Sequence, residues 1–252
     1  MQKELKEYLD FYADRFNNKS FIEDDPISIP HQFSERKDIE SIGFIIATIS
    51  WGNRKSIIKN GNKLVDIMGG QPYEFIINAS EKDLQDLHFV HRTFNTQDLQ
   101  FFILSLRSIY KDYNGGLEQA FCTSKIMSER IYGFRKVFLK TTHEQRSEKH
   151  ISNPLKGSAA KRINMFLRWM VRDDNKGVDF GLWNKIKPSE LYIPLDVHTG
   201  NVARQLGLLK RKQNDWKALE ELMSQLKEYN PNDPCHYDYA LFGIGVSGIL
   251  NN

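Results

Sequence analysis

Residues 194 to 209 read Pro-Leu-Asp-Val-His-Thr-Gly-Asn-Val-Ala-Arg-Gln-Leu-Gly-Leu-Leu, and this stretch indicates how the chain folds. Pro194 fixes its own backbone and biases the preceding residue away from helix, so the approach to Asp196 is expected to be extended. The apolar residues that follow recur at helical spacing, and Gly207 stands near their end. The pattern therefore predicts a helix that begins at an aspartate.

Asp196 has two interpretations. The positive end of a helix holds a carboxylate in its charged form, and a fixed anion beside an amine suits a reaction that develops positive charge. The ordinary alternative is a purely structural N-cap, because aspartate is among the preferred capping residues. The stretch alone leaves both interpretations open.

The rest of the chain shows helical periodicity almost throughout. Residues 38–50 are so apolar that this helix should be buried. Alternating patterns long enough for a sheet are absent from the sequence, which predicts an all-α fold. Further helices are expected near 5–16, 55–69, 81–88, 96–112, 116–121, 124–139, 158–172, 198–206, 214–228 and 234–242.

Composition sets broad limits on function. The chain has 252 residues, of which 40% are hydrophobic and 27% charged, as in an ordinary soluble protein. The net charge of +3 permits a nucleic-acid partner without requiring one. Cys122 and Cys235 lie too far apart for a zinc or iron–sulfur motif, so we expect no metal and no other cofactor.

The sequence also bears on the compartment. Two thiols without a disulfide framework suit a reducing environment. The first residues are too charged for a signal peptide, and no apolar run approaches the length of a membrane span. A cytoplasmic protein that does not contact membranes is the expectation.

The helix expected after Ser158 carries a line of cations. Lys161, Arg168 and Arg172 fall on one side of it, with Arg162 and Trp169 beside them. Such a line can meet phosphates, and the indole can pack against a base or a cleft wall. The alternative is a solvated basic face with an anchoring tryptophan.

The turn before this helix is a second candidate for phosphate binding. Residues 153–158 read Asn-Pro-Leu-Lys-Gly-Ser, which should expose backbone N–H groups at a helix start, and Lys156 adds charge. Ser158 is also a natural N-cap, and that role does not exclude phosphate contact.

At this point the chain resembles a known superfamily. Lys161 in Gly-x-x-x-Lys, followed by Pro-Leu-Asp-Val-His and Val-Ala-Arg-Gln-Leu-Gly-Leu, is similar to the helix-hairpin-helix DNA base-excision glycosylases, which include endonuclease III and 8-oxoguanine glycosylase. The segment 39–54 resembles the early buried helix and loop of that fold. Over most of its length the chain looks more like an uncharacterised bacterial branch, a domain-of-unknown-function family.

The resemblance implies roles for particular residues. Asp196 would be the catalytic carboxylate, and Lys161 the nucleophile that forms a Schiff base in the members with abasic-site lyase activity. His198 would orient or cap, with a structural hydrogen bond at the helix start as the alternative. The residues implied in nucleic-acid contact are Lys156, Gly157, Ser158, Arg162, Arg168, Arg172, Ser50, Trp51 and Asn53, with Trp169 in support.

The resemblance also implies an architecture of two helical lobes with the site in the cleft between them. Residues 40–172 would form a helical barrel lobe that includes the hairpin, residues 1–39 plus 194–252 the second lobe, and residues 173–193 a connecting insertion. The expected protein is a monomer that binds double-stranded DNA, flips out a modified base and cleaves its N-glycosidic bond. The alternative is a non-catalytic nucleic-acid-binding protein that retains the fold.

This interpretation makes one geometric demand. The Lys161 amine and the Asp196 carboxylate must address the same sugar, so they should lie within about 7 Å of each other.

Overall fold

The computed structural model describes residues 2–251, and regular structure in this range is helical, without a β-strand. The all-α prediction is confirmed. In chain order the helices are α1 (Gln2–Phe16), α2 (Ser20–Glu23), α3 (Arg36–Ile49), α4 (Arg54–Ile67), α5 (Pro72–Asn78), α6 (Glu81–Gln85), α7 (Thr96–Asp112), α8 (Gly116–Phe121), α9 (Met127–Phe138), α10 (Lys161–Val171), α11 (Val197–Gln205), α12 (Trp216–Tyr229) and α13 (His236–Ser247).

The helices divide into two compact units. Unit 1 comprises residues 1–21 and 153–252, and unit 2 comprises residues 22–152. The expected lobe boundary at residue 172 differs from this division, because α10 and the segment after it belong to unit 1. The backbone N–H groups of Phe180 and Trp183 donate to carbonyls of Trp169 and Met170 in α10, at 2.8 and 2.9 Å. Residues 173–193 are therefore packed along α10 rather than acting as a separate connection.

Unit 2 is built around α3, whose residues from Ile39 to Ile49 are all buried. The Phe44 ring of α3 contacts Phe102 of α7 and Phe134 and Phe138 of α9, at centroid distances of 6.0, 5.3 and 5.4 Å. Aromatic rings at these separations bury a large apolar area and stack or meet edge to face. The prediction of a buried helix near residues 38–50 is confirmed.

Unit 1 is organised by α13, which is apolar on nearly all sides and packs against α1 and α11. Such a helix is stable only when other elements cover it. Two glycines allow the close approach: a Cβ at Gly243 would lie 2.1 Å from Phe16 of α1, and one at Gly245 would lie 3.1 Å from His198 of α11. The Tyr237 hydroxyl donates to Asp10 across the α1 contact at 3.0 Å.

Within residues 2–251, no helix is both long and apolar enough to cross a membrane.

The contact between α1 and α13 gives a stability prediction. Gly243→Ala should lower the free energy of unfolding by about 1 to 3 kcal/mol, because the added methyl group overlaps the Phe16 ring. Urea unfolding measures the change. Ser247→Ala on the same helix is exposed and serves as the control, with little expected effect. Equal stability of the Gly243→Ala variant and the parent protein would contradict this packing.

Candidate functional site

The chain enters α10 through a tight turn. Residues Pro154–Lys156 form one 3-10 turn, and Gly157 follows with φ of 90°, a conformation that residues with a side chain rarely adopt. Trp216 donates its backbone N–H to the Gly157 carbonyl at 2.9 Å, which ties the turn to the start of α12. Lys156 and Gly157 are both exposed, as expected for residues that would contact a phosphate.

The prediction that Ser158 caps the helix is wrong. The N-cap position is Ala160, which is left-handed (φ 48°, ψ 37°), and α10 begins at Lys161. The Ser158 hydroxyl instead accepts the Ala160 N–H at 3.2 Å within the turn. The Ala160 side chain is not polar, so it cannot accept a hydrogen bond from the backbone N–H groups in the first turn of α10.

Asp196 is the N-cap of α11, as the sequence predicts. Its Oδ1 accepts the Thr199 N–H at 2.9 Å, and its carbonyl accepts the Asn214 side-chain amide at 2.8 Å. One carboxylate oxygen is thus held by the helix start, so the side chain has a fixed direction. The capping role and a chemical role are compatible, because the second oxygen is not used by the cap.

That second oxygen, Oδ2, lies 3.1 Å from the Lys161 Nζ. The separation satisfies the expectation that the two groups lie within about 7 Å. The Lys161 side chain is 37% exposed and the Asp196 side chain 14%, so the lysine is half-buried and the carboxylate is mostly shielded. The pair brings together a fixed anion and a partly exposed lysine, which are the two groups that the sequence indicated.

The next cations on α10 are not exposed, and their predicted contact with nucleic acid is wrong. Arg168 and Arg172 are only 4% and 1% exposed. The Arg168 Nε donates to Asp179 at 3.2 Å, and its Nη1 donates to Asp238. Carboxylates in the interior of unit 1 therefore take the place that phosphates were expected to occupy.

Arg172 is held by three carboxylates. Its guanidinium donates to Asp179 at 2.6 Å, to Asp174 at 2.8 Å and to Asp233 at distances from 2.7 to 3.0 Å. Because a buried charge is tolerated only when it is paired and hydrogen-bonded, these contacts account for its place in the core. We call Arg168, Arg172, Asp179, Asp233 and Asp238 the buried ion cluster.

Tyr239 of α13 completes this cluster. Its hydroxyl donates to Asp179 at 2.9 Å, and its ring lies under both guanidinium groups, 4.5 Å from Arg168 and 5.4 Å from Arg172. A cation over an aromatic face gains electrostatic attraction where water is excluded. Tyr239 thus contacts both arginines and the carboxylate that they share.

Trp169 and Arg162, the other two candidates on α10, differ in burial. Trp169 is fully buried, so the prediction that it packs against a base is wrong. Its apolar neighbours on α10 carry it into the core of unit 1. Arg162 is half-buried, and burial lowers its pKa to about 10, which leaves the guanidinium charged near neutral pH. Its contact with nucleic acid stays a prediction.

His198 is exposed at the first turn of α11, with its ring edge-on to Phe242 at 6.5 Å. Within residues 2–251 its side chain makes no hydrogen bond. The structure therefore gives it neither the orienting contact to Asp196 nor the structural hydrogen bond considered from the sequence.

The three candidates in unit 2 lie at the junction of α3 and α4. Ser50 is 6% exposed and its hydroxyl donates to the Ile46 carbonyl at 2.7 Å, so its predicted contact with nucleic acid is wrong. Trp51 is half-buried and has ring contacts with His91 and His150. Asn53 is exposed and caps α4 by accepting the Ser56 N–H at 3.1 Å. The contact of Trp51 and Asn53 with nucleic acid stays a prediction.

The sequence interpretation missed the pairing of Arg168 and Arg172 with the carboxylates of the buried ion cluster. One signal was present: Asp238 stands in Tyr-Asp-Tyr-Ala-Leu-Phe, an acid in an otherwise apolar run. A carboxylate in such a run requires a cation, and Arg168 is that cation. Asp179 gave no comparable signal, because it lies in the irregular segment after α10.

Within the described range of residues 2–251, no group of three or more His, Cys, Asp or Glu side chains is placed to hold a metal ion. Asp233 and Asp238 are engaged with Arg172 and Arg168 instead.

The buried ion cluster gives a prediction about stability. Asp179→Asn should lower the free energy of unfolding by about 3 to 5 kcal/mol, because two buried arginines lose a shared counter-charge. Urea unfolding measures the change. The control is Glu7→Gln, which breaks the exposed 3.9 Å pair with Lys3 and should cost less than about 1 kcal/mol. Similar costs for the two variants would contradict the buried, ionised state of the cluster.

The cluster also predicts a pH dependence. Burial raises the pKa of Asp238 from 3.8 to about 6, against the opposing effect of Arg168. Between these values the folded state holds a proton that the unfolded state has lost, so a rise in pH destabilises the fold. As the pH rises through this window, the parent protein should lose about 3 kcal/mol of unfolding free energy relative to Asp238→Asn, which has no carboxyl group to titrate at this position. Unfolding curves at several pH values measure it, and a constant difference would refute the assignment.

The comparisons with known proteins concern nearly the whole chain. Residues 25–247 match the family model described as Protein of unknown function (DUF2400). A search of curated proteins finds no match, and a search of solved structures finds none either. Because the matched range spans far more than half of the 252 residues, the chain belongs to the family described as Protein of unknown function (DUF2400).

Proposed function

We propose that the protein is a DNA-repair enzyme that cleaves the N-glycosidic bond of a flipped, modified base and then acts on the abasic site. The observation that carries the proposal is the 3.1 Å contact between Lys161 Nζ and Asp196 Oδ2. It supports the roles that the resemblance to helix-hairpin-helix glycosylases implies for the same two residues.

Asp196 acts first in this proposal. Cleavage of an N-glycosidic bond develops positive charge on the sugar, and a fixed anion stabilises that charge more in the transition state than in the substrate. The hydrogen bond from the Thr199 N–H fixes one oxygen, so the other is already aimed when the sugar arrives. The start of α11, where a helix attracts negative charge, is the place of this carboxylate.

Lys161 acts second. A Schiff base requires an unprotonated amine, and Asp196 lies within reach to accept a proton from the ammonium. The nitrogen lone pair then forms a bond to C1′ of the ring-opened abasic sugar, water leaves, and an iminium ion results. Water then removes a proton from C2′ of this iminium, the 3′ phosphate leaves as the C2′–C3′ double bond forms, and the strand is nicked.

The surroundings of the pair support contact with a phosphate backbone. Lys156 and Gly157 are exposed in the turn before α10, and Arg162 follows Lys161 in the chain. The first turn of α10 has no capping side chain at Ala160, and free N–H groups at a helix start attract phosphate. Arg168 and Arg172 are excluded from this role, because they belong to the buried ion cluster.

The test is incubation with a duplex that carries an abasic site, with borohydride to reduce the iminium to a stable amine. The parent protein should form a covalent adduct, and Lys161→Gln should form none. The control is Lys210→Gln, which changes an exposed lysine of unit 1 and should trap DNA as the parent does. No adduct with the parent protein would refute the lyase activity.

The glycosylase step is tested separately by base release from a panel of damaged duplexes. Asp196→Asn should reduce the rate on the order of a hundredfold, the scale of losing one electrostatic stabiliser. Asparagine also caps helices well, so α11 should persist and the loss can be attributed to the charge. Base release by Asp196→Asn at the rate of the parent protein would refute the role of Asp196.

The alternative is a non-catalytic nucleic-acid-binding protein, and one observation favours it. The Lys161 Nζ is already engaged by the Asp196 carboxylate, as in an ordinary structural ion pair. This alternative predicts salt-dependent binding of DNA without any trapped adduct or base release. Detection of either product by the parent protein would exclude it.

A further inference from the structure

Helix α4 presents a line of lysines to solvent. Its inward side is fixed by Ile57 and Gly61, and a Cβ at Gly61 would lie 2.7 Å from the Ile29 side chain. The outward side carries Lys55, Lys59 and Lys63, four residues apart and all exposed. Side chains at this spacing lie on one face about 6 Å apart along the axis. These three cations therefore form one continuous positive strip.

The charges of α4 run against the helix dipole. Its first turn contains Arg54 and Lys55 and no acid, and its last turn contains Asp66 and no base. Cations at the start and anions at the end of a helix are the arrangement that the dipole disfavours. Local helix stability therefore does not explain this distribution.

Arg92 adds a fourth cation at the same end of α4. It is exposed, has φ of 56°, and its guanidinium lies against Gly52, where a Cβ would meet it at 2.6 Å. Gly52 immediately precedes the α4 cap, Asn53. A left-handed conformation in a residue other than glycine is strained and persists only where neighbouring contacts impose it.

Those contacts come from His91. Its backbone exchanges two hydrogen bonds with Phe94, at 2.8 and 2.9 Å, which close the turn that contains Arg92. Its ring Nδ1 lies 2.9 Å from the Asn60 amide of α4, and its Nε2 lies 3.3 Å from the Trp51 carbonyl. Since a carbonyl can only accept, Nε2 carries the proton and Nδ1 accepts from Asn60. Burial lowers the pKa of His91, so this anchor stays neutral.

We propose that Lys55, Lys59, Lys63 and Arg92, here called the α4 basic face, bind the phosphate backbone of duplex DNA. The assignment of DNA rests on the proposed function, whereas the affinity for a phosphate polymer rests on the charges themselves. In the part of the chain that the structure describes, none of these four side chains forms an ion pair. Asp66, at the far end of α4, is the acid on the same side of that helix.

Duplex DNA fits the shape of this face. A straight row of cations can lie along the regular row of phosphates in one strand of a duplex. Each phosphate that a cation neutralises releases a counterion. A small phosphorylated ligand would instead require converging donors and a pocket, whereas the three lysines lie side by side on one helix.

The test is binding of a short undamaged duplex, measured by fluorescence anisotropy over a range of salt concentrations. The variant is Lys55→Gln, Lys59→Gln and Lys63→Gln combined. Its control combines Lys111→Gln, Lys125→Gln and Lys140→Gln, which remove the same charge from exposed, unpaired positions of unit 2. Far-ultraviolet circular dichroism and melting confirm that both variants are folded.

The proposal predicts that the α4 variant loses about 0.9 of the salt slope for each lost phosphate contact, roughly 2.7 in total, while the control keeps the slope of the parent. Equal losses in both variants, or no loss in the α4 variant, would overturn it. Tighter binding of single-stranded RNA or of an acidic peptide than of the duplex, lost in the α4 variant alone, would also overturn the assignment to DNA.

The outcome is separable from that of the proposed function. If the α4 variant loses salt slope while the parent protein shows neither base release nor a borohydride adduct, the basic face stands and the enzyme proposal fails. If the parent is active and the α4 variant binds and reacts as the parent does, the enzyme proposal stands and this face has another purpose.

Discussion

The arrangement of unit 1 depends on how the cations along α10 are neutralised. Arg168 and Arg172 lie in the core, where desolvation makes an unpaired charge unacceptable, and Asp179, Asp233 and Asp238 supply the counter-charges. Asp179 comes from the segment after α10, Asp233 from the turn before α13 and Asp238 from α13 itself, so the pairing fixes these elements against the helix. At the first turn the same helix carries Lys161, whose partner Asp196 is also an anion but whose side chain is partly exposed. Helix α10 therefore takes part in the buried ion cluster towards its C-terminal end and in the partly exposed Lys161–Asp196 pair at its first turn. The chemistry proposed for the protein belongs to the partly exposed pair.

Much of the fold could be predicted from the sequence, because the apolar periodicity is strong. The apolar run in α3 and the capped pattern of α7 locate those helices to within about two residues. Helix α5 was not predicted: its seven residues, Pro72–Asn78, are too few to show a repeat. The unit boundary at residue 152 was not predicted either, because the division between the units depends on tertiary contacts that local periodicity does not show.

The candidate site was predictable only in part, and the reason is burial. Asp196 as a helix cap follows from local chemistry, whereas its closeness to Lys161 was only what the resemblance implied, and the structure was needed to show the contact. A line of cations on one helix side, by contrast, looks the same in sequence whether it meets solvent or buried carboxylates. Arg168 and Arg172 were therefore expected at the surface, and only the long-range position of Asp179 reveals that they are internal. The lysines of α4, which carry no family motif, are exposed.

The central claim is that Lys161 is the single amine that reaches the sugar, because Asp196 holds it there. The most direct measurement is peptide mapping by mass spectrometry of the borohydride-reduced adduct between the protein and an abasic-site duplex. The account predicts one modified peptide, with the deoxyribose remnant on Lys161. A remnant on Lys156, on a lysine of α4 or spread over several surface lysines would contradict it, because the 3.1 Å pair would then play no special part.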